Sequence, residues 1–180
     1  AEDYKTGMGC DLLIYTDEGQ SQKLASNATV MAWLEQNAAR YGFVVRYPAD
    51  KAEKTGVAEY TEYYRYVGVP HATYMKANNL CLEEYLVLLR TYTSKDRLSI
   101  QALDGKTYEV YYCAVAGDGS ISCPTNYNYT VSGTNEGGMV VTIDRSVVAN
   151  QPIYTDNAQS ATEPATVPES VSASESQTTP

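Results

Sequence analysis

The side chains of this chain that could do chemistry are dominated by phenols. The 180 residues contain 17 tyrosines, against one histidine, one tryptophan and one phenylalanine. Four of the tyrosines lie close together, at Tyr60, Tyr63, Tyr64 and Tyr66. Such a cluster could stack on sugar rings or pair with peptide amides, which predicts a binding surface. The favoured alternative is that alternate tyrosines line a strand and bury one face in the core.

Residues that commonly ligate metals are sparse. His71 is the only histidine, and we interpret it as a helix residue whose ring is satisfied by local partners. The four cysteines, Cys10, Cys81, Cys113 and Cys123, form no C-x-x-C pair, so neither a zinc ribbon nor a thioredoxin-type site is expected. Cys113 and Cys123 flank a turn-rich segment and could form a disulfide across a hairpin. The alternative is two buried free thiols.

The charge and the apolar runs exclude several classes of protein. The formal net charge is −9, and the absence of a basic stripe argues against nucleic acid, anionic lipid or teichoic acid as a partner. The longest apolar runs fall far short of the roughly 20 residues that a membrane-spanning helix needs. Because the chain begins at Ala1 inside what resembles a motif, we expect a fragment or a processed form.

The elements that must position the tyrosines follow from periodicity and turn signals. Helices are expected from Asn27 or Thr29 to Tyr41, over 70–78 and over 81–91. Strands are expected over 8–14, 43–46, 63–67, 98–103, 107–115, 127–131 and 139–144. Turn pairs separate the last four, which predicts a small antiparallel module. Beyond residue 153 the chain lacks the apolar residues that would offset ordering entropy, so we expect disorder.

Residues 4–11, YKTGMGCD, follow the frame S-x-H-x-x-G-x-A-x-D from its histidine onward, and residues 55–68, TGVAEYTEYYRYVG, follow the frame T-G-x-x-x-E-P-W-H-x-R-Y-V-G. In both frames the chain resembles the VanY-type D-alanyl-D-alanine carboxypeptidases, a family of zinc peptidases. Three further stretches are similar to family members: WLEQNAARYGFVVRYP (33–48), RYVGVPHATYMKANNLCLEEYL (65–86) and YTVSGTNEGGMVVT (129–142). The resemblance therefore covers most of residues 4–142.

The resemblance implies an α+β fold. Residues 1–94 would be a VanY-like, hedgehog-type core that lacks its N-terminal portion, with helices packed on a small antiparallel sheet. Residues 95–150 would form a β-rich C-terminal extension, and 151–180 a disordered tail or linker rich in Ser, Thr, Pro and Glu. The resemblance also implies a bacterial, extracellular or cell-envelope location, with peptidoglycan or its stem peptides as the partner.

The same resemblance implies a zinc site, but most of its ligand positions are substituted. By position, the family's two histidine ligands fall on Tyr4 and Tyr63, its aspartate ligand on Asp11 and its glutamate base on Tyr60. A phenol with a pKa near 10 must lose a proton to bind metal at pH 7, which costs about 4 kcal/mol per tyrosine. The cost for two tyrosines is a large share of the roughly 10 to 16 kcal/mol of binding free energy that a structural zinc site provides. No cofactor is therefore expected.

Two replacement sites remain conceivable. Glu62 is the better substitute base, because in an extended strand it shares a face with position 60 whereas Glu59 does not. A ferric site of Tyr4, Asp11 and Tyr63 is chemically conceivable. The sequence offers no further ligands for such an iron site.

Three functions follow as hypotheses. The favoured one is a pseudoenzyme of the cell wall: a degenerate D-alanyl-D-alanine carboxypeptidase-like domain that retains a groove for stem peptides at Tyr60, Tyr64 and Arg65. The first alternative is an active zinc D,D-carboxypeptidase that removes the terminal D-Ala, rescued by Glu62, by His71 or by a cysteine. The second alternative is a structural or adhesive surface module whose tail crosses the wall.

Overall fold

The computed structural model describes residues 5–58, 60–134 and 137–146. Its α-helices are α1 (Ala28–Asn37), α2 (Ala52–Thr55), α3 (Val69–Ala77) and α4 (Leu82–Leu89). Its strands are β1 (Gly9–Asp11), β2 (Leu13–Tyr15), β3 (Ser21–Lys23), β4 (Phe43–Tyr47), β5 (Tyr60–Tyr66), β6 (Leu98–Gln101), β7 (Thr107–Ala114), β8 (Asn128–Gly133) and β9 (Gly138–Asp144). The predicted α+β class is confirmed. Within the described ranges, no helix has the length and apolar character needed to cross a bilayer.

The strands form antiparallel sheets of three, two and four strands. Their orders are β1-β5-β4, β2-β3 and β6-β7-β9-β8. The single strand predicted over 8–14 is wrong, because it divides at Leu12 into β1 and β2. The Leu12 amide still donates to the Glu62 carbonyl, at 3.0 Å, and the chain then leaves β5 to pair with β3.

The helix beside the three-stranded sheet begins where the sequence predicts, but α1 ends at Asn37, four residues before the predicted end at Tyr41. The Asn27 side chain caps α1 by accepting a hydrogen bond from the Val30 amide at 3.1 Å. A 3₁₀-helix, Ala38–Tyr41, follows α1, and the chain then turns at Gly42, whose φ of 81° suits glycine. The Gly42 carbonyl accepts from the Val67 amide at 2.8 Å, which joins this turn to the end of β5.

The four-stranded sheet shares a hydrophobic core with α3 and α4. From the helices this core takes Met75, Tyr85 and Leu89, and from the sheet it takes Leu98, Ile100, Val110 and Val140. The core therefore crosses the boundary predicted between residues 94 and 95, and the division into a core and an extension stays a prediction. Residues 147–150 of that extension and the predicted tail lie outside the described residues.

A second cluster covers the other face of the same sheet. Tyr111, Val141 and Ile143 are buried there, and the Tyr111 hydroxyl donates to the Ser122 carbonyl at 2.6 Å. Cys113 and Cys123 both pack against this cluster. Both are free thiols in the structure, but they are half-buried rather than buried as the second alternative predicted.

His71 ties the helices to the sheet. It lies in α3, as predicted, but its partners are distant in sequence rather than local. Its Nδ1 lies 2.8 Å from the Tyr85 hydroxyl of α4, and its Nε2 lies 2.9 Å from the Thr142 hydroxyl of β9. A neutral imidazole satisfies both contacts by donating one hydrogen bond and accepting the other. Burial lowers the pKa of His71 from 6.5 to about 4.

This buried imidazole should make folding stability depend on pH. The folded-state pKa lies below the unfolded value, so between pH 6.5 and 4 the unfolded chain binds a proton that the folded chain does not. The stabilisation is complete above that window and is lost as the pH falls through it. Urea unfolding should show a loss of about 2 kcal/mol between pH 7 and pH 5. Because His71 is the only histidine, a His71→Gln variant should lose most of this slope, and an unchanged slope would contradict the assignment.

Candidate functional site

The pairing of β1 with β5 brings two predicted site positions together. Asp11 lies opposite Tyr63, and Gly9 lies opposite Arg65. Directly opposed residues of an antiparallel pair point to the same side of the sheet. These four residues define what we call the ligand face. Tyr4 and Glu59, which the sequence analysis also named, lie outside the described residues.

Tyr63 is packed within a stack of three aromatic rings. Its ring lies 5.8 Å from that of Tyr47 and 5.8 Å from that of Tyr60, with interplanar angles of 21° and 18°. The Arg46 guanidinium lies 4.6 Å from the Tyr47 ring centre. Tyr63 is 1% exposed, whereas Tyr60 is 39% exposed. The position that corresponds to a metal ligand is therefore the buried centre of an aromatic stack.

Tyr60 reaches this stack because the β4–β5 register is irregular. Val45 pairs with Tyr64, but Tyr47 pairs with Tyr60, so β5 carries extra residues relative to β4. The regular alternation that would place Glu62 on the face of position 60 is interrupted there. Glu62 is half-buried, and its Oε1 atom has no hydrogen-bond partner within the part of the chain that the structure describes. Its role as a substitute base stays a prediction.

The three residues predicted to line a ligand groove lie in different surroundings. Tyr64 is 3% exposed and lines an apolar cavity of about 230 Å³ beside α1, together with Cys10 and Trp33. Burial raises the pKa of Tyr64 above its usual value, with a smaller contribution from the Glu35 carboxylate. Arg65 lines a different and larger cleft. Tyr60, Tyr64 and Arg65 therefore do not line one groove.

The larger cleft has a volume of about 570 Å³ and lies between the end of β5, the helices α3 and α4, and the edge of the four-stranded sheet. The sequence does not predict this cleft, because its walls come from segments distant in sequence. Arg65 and an ion pair give it charge: Arg46 Nη2 lies 2.7 Å from Glu83 Oε1. The His71 ring also lines the cleft and is neutral near pH 7.

One wall of the cleft is a strand edge. β8 is the outermost strand of its sheet, since it pairs with β9 on one side. Consecutive residues from Thr130 to Thr134 line the cleft, and Val140 and Thr142 of β9 line it beside them. The cleft therefore reaches the outermost strand of the sheet. Backbone groups at such an edge can hydrogen-bond to an extended peptide.

The ligand face does not fit zinc. Asp11 supplies one carboxylate, but the Tyr63 hydroxyl is directed over Gly9, two residues along β1. In the described ranges, no three side chains of the His, Cys, Asp and Glu types converge as a ligand set. A catalytic zinc needs three protein ligands and an open position for water.

Comparisons with known proteins agree with this architecture. The VanY family model, described as D-alanyl-D-alanine carboxypeptidase, matches residues 3–69. A D-alanyl-D-alanine carboxypeptidase from Enterococcus faecium is 39% identical over 127 residues, which is 71% of this chain and 41% of that relative. Residues 3–69 therefore match the VanY family, and its D-alanyl-D-alanine carboxypeptidases are the relatives that the chain resembles.

Solved structures are similar to parts of the chain. The vancomycin-resistance D,D-dipeptidase VanXYg, in complex with a D-Ala-D-Ala phosphinate analogue, matches with a TM-score of 0.68 and 31% identity, covering 79% of this chain and 58% of that one. A mutant of VanY from a VanB-type resistance cassette, in complex with Zn(II), is 42% identical over 48% of this chain and 44% of its own, with a TM-score of 0.39. This chain spans less than half the length of the curated relatives that it matches.

Because Tyr64 is buried and Tyr60 is half-exposed, truncating them should lower the free energy of unfolding by different amounts. Tyr64→Ala should lower the free energy of unfolding by about 3 to 5 kcal/mol, because it leaves a cavity in the core under α1. Tyr60→Ala should cost about 1 kcal/mol, because it removes one half-exposed partner of the stack. Chemical unfolding of both variants checks this order. A larger loss for Tyr60→Ala would contradict the assignment of faces.

Proposed function

We propose that this chain is a degenerate member of its family that no longer acts as a peptidase. The observation that carries the proposal is the environment of Tyr63. At the position of a zinc-ligating histidine stands a phenol that is 1% exposed and stacked between two other rings. A ligand residue must present its donor atom to an open metal position, whereas this side chain fills space.

The position of the family's base supports the same proposal. Tyr60 stacks on Tyr63 instead of offering a carboxylate to a water molecule. A neutral phenol is a far weaker base than a carboxylate and does not take a proton from water at pH 7. Loss of the base and loss of a ligand therefore coincide in one aromatic stack.

The retained function that we propose is binding of peptidoglycan stem peptides outside the cell, in the 570 Å³ cleft. An extended peptide could pair its backbone with the edge of β8. Arg65 could then bind the terminal carboxylate of the peptide through charge-assisted hydrogen bonds. This assignment moves the predicted groove from Tyr60 and Tyr64 to the side of Arg65.

An active zinc D,D-carboxypeptidase is the competing proposal. It is favoured by the activities of the relatives and by the retention of Asp11, the one ligand position that keeps its residue type. Under this proposal a side chain such as Glu62 would replace the base, and other donors would replace the lost ligands.

The two proposals differ in metal content and turnover. After equilibration with zinc at pH 7 and dialysis, the natural chain should retain below about 0.1 equivalents of zinc, because its donors are phenols. It should release no D-alanine from a synthetic pentapeptide ending in D-Ala-D-Ala. The matched variant combines Tyr4→His, Tyr60→Glu and Tyr63→His and should retain more zinc. Stoichiometric zinc together with D-alanine release by the natural chain would overturn the proposal.

Binding to the cleft is tested separately. Arg65→Met should weaken binding of the same pentapeptide by about tenfold in calorimetric titration, because it removes the charged partner of the carboxylate. The matched control is Lys95→Met, which removes one positive charge from an exposed site outside the cleft and should leave the affinity unchanged. Equal weakening by both variants would mean that overall charge, and not the cleft, governs binding.

A further inference from the structure

Gly9 occupies a strand position where the backbone gives no reason for glycine. It lies in β1, whose extended conformation any residue can adopt, and it is not one of the positive-φ glycines of the described chain. Gly9 is the first residue of β1 and pairs with Arg65 of β5, and a glycine at a paired position weakens a strand because it loses more conformational entropy and packs no side chain. Its presence therefore indicates a close approach by another group.

The approaching group is the Tyr63 ring. A Cβ atom added to Gly9 would overlap the Tyr63 hydroxyl oxygen, and it would lie 2.7 Å from Cζ and 3.0 Å from Cε2 of the same ring. Such contacts are too close for carbon atoms, which pack at about 3.5 to 4 Å. One of the two residues would have to shift.

Tyr63 has little freedom to shift. Tyr47 and Tyr60 each stack at 5.8 Å from its ring centre, and the residue is 1% exposed. Rotating the ring away from Gly9 would break the stack, and moving β1 away would break its pairing with β5. An alanine at position 9 therefore forces a loss of packing or of strand pairing.

We infer that Gly9 and Tyr63 form one steric unit that closes the ligand face with an aromatic ring. The frame that residues 4–11 resemble has alanine at the position of Gly9, and the frame that residues 55–68 resemble has histidine at the position of Tyr63, so both halves of this contact depart from the two frames together. An imidazole is shorter than a phenol and leaves room for a Cβ atom. Glycine at position 9 is thus a determinant of this site, and the inference holds whether or not the cleft binds peptide.

A double-mutant cycle tests the coupling. The natural chain, Gly9→Ala, Tyr63→His and the double variant are unfolded in urea at pH 8, where the introduced imidazole is neutral. In the presence of Tyr63, Gly9→Ala should reduce the unfolding midpoint and lower the folding equilibrium constant about 10- to 100-fold. In the Tyr63→His background the same change should alter that constant less than about threefold. Equal effects in the two backgrounds, or no effect in the natural one, would overturn the inference.

Two further variants keep the test decisive. If Tyr63→His does not fold, the cycle is repeated with Tyr63→Leu, which removes the ring but keeps an apolar side chain. Gly133→Ala is the matched control, because a Cβ atom at this strand glycine would meet the Met139 sulfur at 3.7 Å, an ordinary contact. It should change the folding constant by less than about threefold. A loss as large as that of Gly9→Ala would mean that alanine disfavours these strands for reasons unrelated to Tyr63.

Discussion

The register of β1 against β5 is the constraint on which the rest of the site depends. With Asp11 opposite Tyr63, the side chains of Tyr63 and Arg65 fall on one face of the sheet, and Cys10 and Tyr64 fall on the other, against α1. Side chains alternate with a period of two, so a slip of one residue would exchange the two faces. The Leu12 amide, which donates to the Glu62 carbonyl, holds this register at the end where β1 leaves the sheet.

The second constraint joins this sheet to the four-stranded one. α3 follows β5 directly and carries His71, whose ring contacts both α4 and β9. The cleft is the space that remains between the end of β5 and the edge of β8 once these contacts are made. Its position therefore depends on a neutral, buried imidazole whose two ring nitrogens both contact hydroxyl groups. His71 is thus part of the packing between the helices and the sheet.

Local signals predicted most of the elements, but not α2 or β3, and long-range contacts decided what the elements do. Asn27 marked the start of α1 and Gly42 the end of the helical segment that continues it, because caps and left-handed turns depend on a few neighbouring residues. The partners of His71 are 14 and 71 residues away, and no periodicity encodes them. The stacking of Tyr60 on Tyr63 depends on an irregular register, so alternation along β5 could not predict it. Comparison of residues 4–11 and 55–68 with the two family frames identified the substituted positions. It could not predict how these side chains pack or what Gly9 contacts.

One sheet can support a metal centre or an aromatic core at the same place, but not both. A catalytic zinc requires an open coordination position, and its ligands remain polar whether or not the metal is bound. Without metal, such ligands would need other partners, since unpaired buried polar groups cost free energy. A buried tyrosine instead contributes apolar area, worth about 2 to 3 kcal/mol for a side chain of this size. Tyr63 seated over Gly9 therefore supplies packing that needs no bound metal.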